Sequence, residues 1–126
     1  MKVLLDTHTF LWMAAEPEKL SARAREVCAG ESLTLSVASI WEIGIKCQIG
    51  RVVLPAAARE YLARQIRVAG ISVLPINYRH ALAAAALPMR HEDPFDRMLA
   101  AQCLEEGLPC VTRDLVFAEY GVEAIW

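Results

Sequence analysis

An α/β sandwich built on a parallel sheet of about five strands is the fold this sequence predicts. Three observations carry it. Short apolar runs recur along the 126 residues, at Val3–Leu5, Leu33–Leu35, Ile71–Leu74, Cys110–Thr112 and Val122–Ile125. Longer segments with helix caps and helix stops lie between them. No repeat, linker or low-complexity tract breaks the alternation. Strands alternating with helices imply βαβ crossovers, hence parallel neighbours with helices on both faces of the sheet. The length fits one domain spanning residues 1–126.

The elements follow in order. Val3-Leu4-Leu5 is a buried strand ending at Asp6. Thr7 or Thr9 can cap a helix through Phe10, Leu11, Trp12 and Met13, which Pro17 stops. Ser21 opens a second helix and Gly30 closes it. After the strand Leu33–Leu35, Ser36 or Ser39 starts a helix through Ile40, Trp41, Ile43 and Ile45 that ends near Gly50. The run Ser39-Ile40-Trp41-Glu42 fits a capping box. A helix over 56–69 follows Pro55 and stops at Gly70. The strand Ile71–Leu74 then leads into a helix over 78–87, ended by Pro88. The helix Pro94–Glu106 has proline at its first position, where the missing N–H is no loss, and Gly107 just past its end. Two short strands complete the chain.

Composition narrows the function. Hydrophobic residues make up 56%, an excess compatible with an apolar surface reserved for a partner. A net charge of −2 excludes a global basic footprint for nucleic acid. An enzyme acting on nucleic acid would then need a local basic patch or metal ions to offset phosphate charge. The apolar runs are too short to span a bilayer, and the opening MKVLLD lacks the apolar core of a signal peptide. Cys28, Cys47, Cys103 and Cys110 show no metal-binding spacing, so buried thiols in a reducing cytoplasm are expected.

The chemistry concentrates in carboxylates. Ligands of open parallel sheets gather outside the carboxyl ends of the strands. Asp6 follows the first strand directly, and Asp114 follows the fourth almost directly. Glu42 lies in the helix after the second strand, and Asp96 in the first turn of the helix before the fourth. Each has a structural reading too. Asp6 can cap the next helix, Glu42 can complete the capping box, and Asp114 can cap a turn before Phe117. Asp93, just before Pro94, is an ideal N-cap, and Asp96 complements the helix dipole. Together, however, Asp6, Glu42, Asp96 and Asp114 converge on one sheet edge. Carboxylates packed so closely raise one another's pKa, and a hard divalent cation relieves the repulsion. Oxygen donors without a Cys–His set suit Mg²⁺ or Mn²⁺ rather than zinc. Such ions activate water and offset phosphodiester charge during in-line attack.

Four blocks, LLDTH at 4–8, SVASIWEIGIK at 36–46, HEDPFDRMLAAQ at 91–102 and VTRD at 111–114, resemble PIN-domain ribonucleases. They are most similar to the VapC-type toxins of type II toxin–antitoxin pairs, and the likeness spans nearly the whole chain in order. The resemblance implies a PIN-like sandwich and a Mg²⁺- or Mn²⁺-dependent endoribonuclease cutting RNA. It places Asp6, Glu42, Asp96 and Asp114 at the catalytic acidic positions. Asp6 and Asp96 become the principal metal ligands, with Glu42 and Asp114 as possible further ones; Glu42 binds or orients a water at the metal, and Asp114 completes the pocket. Thr7, Thr112 and Asp93 would hold the carboxylates in place. It also implies a cognate antitoxin that blocks the site, a homodimer, and operator DNA bound only through the antitoxin.

Arg97 and Arg113 each neighbour a site carboxylate, and each is a candidate for an RNA phosphate or for an ion pair. Trp12 and Trp41 are candidates for the antitoxin surface or for core. His8 reads as lying beside the site rather than in it, His80 and His91 as exposed, and Glu92 as a solvated charge. Two other functions compete. An aspartyl phosphatase needs a DxD after the first strand, where this chain has Asp6-Thr7-His8. A partner-binding PIN-like module without catalysis would not need the intact acid set.

Overall fold

In the computed structural model, which describes residues 1–126, five parallel strands form one sheet: β1 (Lys2–Leu5), β2 (Ser32–Ser36), β3 (Ser72–Leu74), β4 (Cys110–Val111) and β5 (Ala124–Ile125). Their order is β3-β2-β1-β4-β5, and every neighbouring pair is parallel. Alternation along β1 sends Val3 and Leu5 into one core cluster and Leu4 into the other, all wholly buried. Val111 and Cys110 divide the same way in β4. A sheet covered on both faces explains why its strands read as unbroken apolar runs.

The chain moves outward from β1 to β2 to β3, then returns to place β4 on the other side of β1. The reversal therefore lies between β1 and β4, where Leu4 pairs with Cys110 and Leu5 with Val111. At such a switch point the crossovers diverge to opposite faces, leaving a crevice at the carboxyl ends of the strands.

Helices α1 (Thr7–Ala15), α2 (Ala22–Gly30), α3 (Val37–Gln48), α4 (Ala58–Val68), α5 (Tyr78–Ala86), α6 (Pro94–Glu106) and α7 (Val116–Glu119) fill the crossovers. The helix starts decide between alternatives that the sequence left open. Asp6, not Thr7 or Thr9, caps α1, with its carboxylate accepting the Thr7 N–H at 2.7 Å. Ser36 caps α3, accepting the Ala38 N–H at 3.0 Å. The Ser39–Glu42 capping box therefore does not form. Ser39 is already the third helical residue, and Glu42 lies a turn deeper, buried. A capping box does form at α5, between Asn77 and His80, so His80 is 1% exposed rather than on the surface. Asp93 caps α6 as expected, accepting the Phe95 N–H at 2.8 Å with Pro94 in the first helical turn. All four cysteines are free thiols; Cys103 and Cys110 are buried, while Cys28 and Cys47 are only partly so. No helix is long and apolar enough to cross a membrane.

Arg97 departs furthest from expectation. Its guanidinium donates to the carbonyls of Ala84, Leu87 and Pro88 at 3.0, 3.0 and 2.9 Å, and approaches the Tyr120 hydroxyl at 3.4 Å. It clips the end of α5 onto α6 and forms no ion pair with the acids. Replacing Arg97 with alanine leaves the Leu87 carbonyl without a donor, while the Pro88 and Ala84 carbonyls keep only the Arg90 and Leu87 N–H groups. Urea unfolding is expected to show a loss of about 1–3 kcal/mol. Lysine, with a compact ammonium in place of the planar fork, is expected to restore only part of it.

Candidate active site

A cleft of about 280 Å³ opens at the switch point, and Asp6, Glu42, Asp96 and Asp114 all line it. Each arrives on a different element. Asp6 ends β1, Glu42 rides in the second turn of α3, Asp96 is third in α6, and Asp114 follows β4. Asp93, Arg113, Lys46, His8, Thr9 and Trp12 complete the walls.

Asp6 is held from both sides. The Thr7 N–H meets one carboxylate oxygen, and the Thr112 hydroxyl donates to the other at 2.8 Å. That hydroxyl in turn accepts the Asp114 N–H at 3.0 Å, so the ends of β1 and β4 are locked together. Thr9 adds a hydroxyl bond to the Val111 carbonyl at 2.8 Å. Glu42 accepts the Thr7 hydroxyl at 2.8 Å. Thr7 Oγ1 also lies 2.8 Å from the Ser39 hydroxyl. Thr7 has one hydroxyl proton, and the carboxylate takes it; Ser39 then donates to Thr7. Asp114 accepts the Val116 N–H at 3.0 Å and so caps the turn before Phe117.

The electrostatics follow from this crowding. Burial pushes the Asp6 carboxyl above its usual range, against the Thr112 hydrogen bond, the charge of His8 and the Thr7 N–H. Asp96 is pushed up to about 7, by burial first and then by the charges of Asp93 and Asp6, with Glu42 adding to it. His91 opposes that rise through a hydrogen bond of 2.9 Å to Asp96, and the same bond raises the His91 pKa. One carboxylate that holds its proton to neutral pH is what burial, reinforced by repulsion among neighbouring acids, produces.

Several residues at this site were not visible as such in the sequence. His91 is hydrogen-bonded to Asp96 rather than to solvent alone, and its ring nitrogen and the Asp93 and Asp96 oxygens lie within 4.8 Å of one another. His8 lines the cleft, and its ring packs against Trp12 at 5.7 Å between centroids. Lys46 binds Glu42 one helical turn on, a spacing legible as an (i, i+4) pair. Of the two arginines, Arg113 alone faces the cleft, exposed and without an ion pair.

The PIN domain family model matches residues 3–123. The chain is a PIN domain. It is 32% identical over 117 residues to Ribonuclease VapC22 of Mycobacterium tuberculosis, covering 89% of this chain and 86% of that one. The fold of this PIN domain also matches solved structures. One is VapBC2 from Rickettsia felis bound to a DNA fragment from its promoter, with TM-score 0.71, 10% identity, and coverage of 98% and 97% of the two chains. Another is a toxin–antitoxin complex from Klebsiella pneumoniae, with TM-score 0.59, 14% identity, and coverage of 90% and 87%.

The pKa shifts of this PIN domain set its response to pH. Asp96 titrates at an ordinary 3.8 when unfolded and at about 7 when folded. The folded state therefore binds the proton more tightly, and stability falls as pH rises between those values. Asp6 and His91 shift in the same direction and add to the fall. Metal-free protein is expected to melt at a lower temperature at pH 8 than at pH 5. Asp96→Asn should flatten that dependence; an unchanged slope would show that Asp96 does not hold the proton.

Proposed function

We propose that this PIN domain is a divalent-metal-dependent endoribonuclease, the toxin of a toxin–antitoxin pair. The observation that carries the proposal is the convergence of Asp6, Glu42, Asp96 and Asp114 on one cleft, in a chain whose relative is a ribonuclease. Five carboxylates line that cleft against two fixed cations, Lys46 and Arg113. RNA phosphates would be repelled by such a site unless a cation intervened.

The donor set fits Mg²⁺ or Mn²⁺. It consists of carboxylate oxygens alone, and burial first, then neighbouring negative charge, raises the Asp6 and Asp96 pKa values. Asp6 and Asp96 would hold the ion, with Asp114 beside them. When bound, the ion would activate water and offset phosphate charge. The chain's own residues do the remainder. Thr112 and the Thr7 N–H fix the direction of Asp6. Thr7 and Lys46 fix Glu42, which orients water at the scissile phosphate. Asp93 starts α6 and so sets where Asp96 points. Arg113, unpaired at the mouth, receives an RNA phosphate.

The antitoxin reading is supported by an apolar groove of about 570 Å³ lined by Ile40, Trp41, Gly44, Ile45, Cys47 and Ala58. The Trp41 side chain there is 65% exposed and meets Phe95 edge-on at 5.5 Å. Large exposed apolar patches on a monomer mark partner surfaces. The groove lies on α3, the helix that carries Glu42, so a partner seated on it touches the frame of the cleft. The same reading includes a cytoplasmic homodimer that meets operator DNA only through its antitoxin.

The test is cleavage of structured RNA by antitoxin-free, metal-stripped protein after adding Mg²⁺ or Mn²⁺. Asp6→Asn and Asp96→Asn should lower the rate by at least about a hundredfold, as loss of the charge stabilisation an ion supplies would. Their circular dichroism should match the parent's. RNA left intact by the parent protein with every metal overturns the proposal.

A further inference from the structure

We infer that Lys46 keeps Glu42 out of the direct ligand set of the divalent cation, an inference that rests on the metal-dependent reading above. The oxygens of the cleft carry it. Both oxygens of Glu42 are engaged: Oε1 accepts the Thr7 hydroxyl, and Oε2 accepts the Lys46 ammonium. Glu42 is buried, while the Lys46 side chain is 28% exposed, so the ammonium reaches in from the rim of α3.

The other acids differ in kind. Asp6 receives only a backbone N–H and a hydroxyl. Asp114 receives only a backbone N–H, through one oxygen. Asp96 meets the His91 ring through Oδ2 and leaves Oδ1 without a hydrogen bond. Lys46 is therefore the only fixed positive charge bonded to a carboxylate of the cleft. A neutral donor leaves a carboxylate its full charge for a cation, whereas an ammonium neutralises it. A cation approaching Glu42 would have to displace Lys46; one approaching Asp6 and Asp96 displaces no fixed charge.

The division has a chemical use. Hard cations gather carboxylates, and five in one cleft invite either a second ion or a cage too rich in charge to leave water in place. With Glu42 tied to Lys46, ligation falls to Asp6, Asp96 and Asp114, and Glu42 remains a fixed hydrogen-bond acceptor facing them. Lys46 is thus a positioning residue that acts through Glu42, and partners of this sort tune metal affinity without touching the ion.

Binding of Mn²⁺ to the metal-stripped protein, followed by electron paramagnetic resonance without RNA, tests this. Asp96→Asn should weaken Mn²⁺ by at least about tenfold, and Glu42→Gln by less than about threefold. Lys46→Met frees Glu42 to ligate, and should tighten Mn²⁺ by about tenfold or add a second ion per chain. Lys46→Arg should behave like the parent, and Glu42→Gln in the Lys46→Met background should cancel the gain. Melting curves of each variant check that it is folded. Glu42→Gln as damaging as Asp96→Asn, or a folded Lys46→Met that binds like the parent or more weakly, overturns the inference while leaving the metal reading intact. A parent protein that binds no Mn²⁺ overturns both.

Discussion

The hydrogen bond from the Thr112 hydroxyl to Asp6 joins the ends of two strands that are 106 residues apart in sequence, and it does so at the sheet's switch point. A buried carboxylate without such partners would protonate or drag its strand toward water. With them, Asp6 becomes an anchored charge at the floor of a cleft. Its position depends on the parallel register that sets Leu5 against Val111. The register in turn rests on two wholly buried apolar layers, each fully buried large side chain contributing roughly 1.5–3 kcal/mol. Packing thus fixes where the charges stand, and the charges account for what the cleft can do.

Around that anchor the positive charges are rationed by geometry. Arg97, the obvious neighbour of Asp96 in sequence, is spent on the carbonyls that end α5. Lys46 goes to Glu42, and His91 to Asp96. Arg113 alone is left at the mouth without a partner. The cleft keeps a surplus of negative charge that no protein group neutralises. Burial first, and that surplus after it, raise Asp96 toward neutrality.

Much of this was legible in the sequence because it is local or periodic. Continuous apolar runs gave the strands, and Pro94 with Gly107 gave both ends of α6. The four acids could be placed at strand ends and helix starts by counting along the chain. What failed was decided by non-local contacts. Ser36 and Ser39 are equally good caps in isolation. The choice falls to Ser36 because it sits at the last paired position of β2, opposite Leu74, in extended backbone. His91 and Arg97 flank Asp96 in the sequence, yet their roles depend on how the segment after α5 folds back on α6. His80 looked exposed because its burial under α6 cannot be read from an alanine-rich run. Lys46 was there to be found, since a glutamate four residues before a lysine on a helix is a known pairing.

Anomalous diffraction at the manganese edge, from crystals grown with Mn²⁺, speaks most directly to the claim that the switch-point carboxylates form a cation site. A peak in the cleft held by Asp6 and Asp96, with Lys46 still on Glu42, is the predicted result. A peak held instead by His91, Asp93 and Asp96 at the rim, or no peak in the cleft at all, would contradict it.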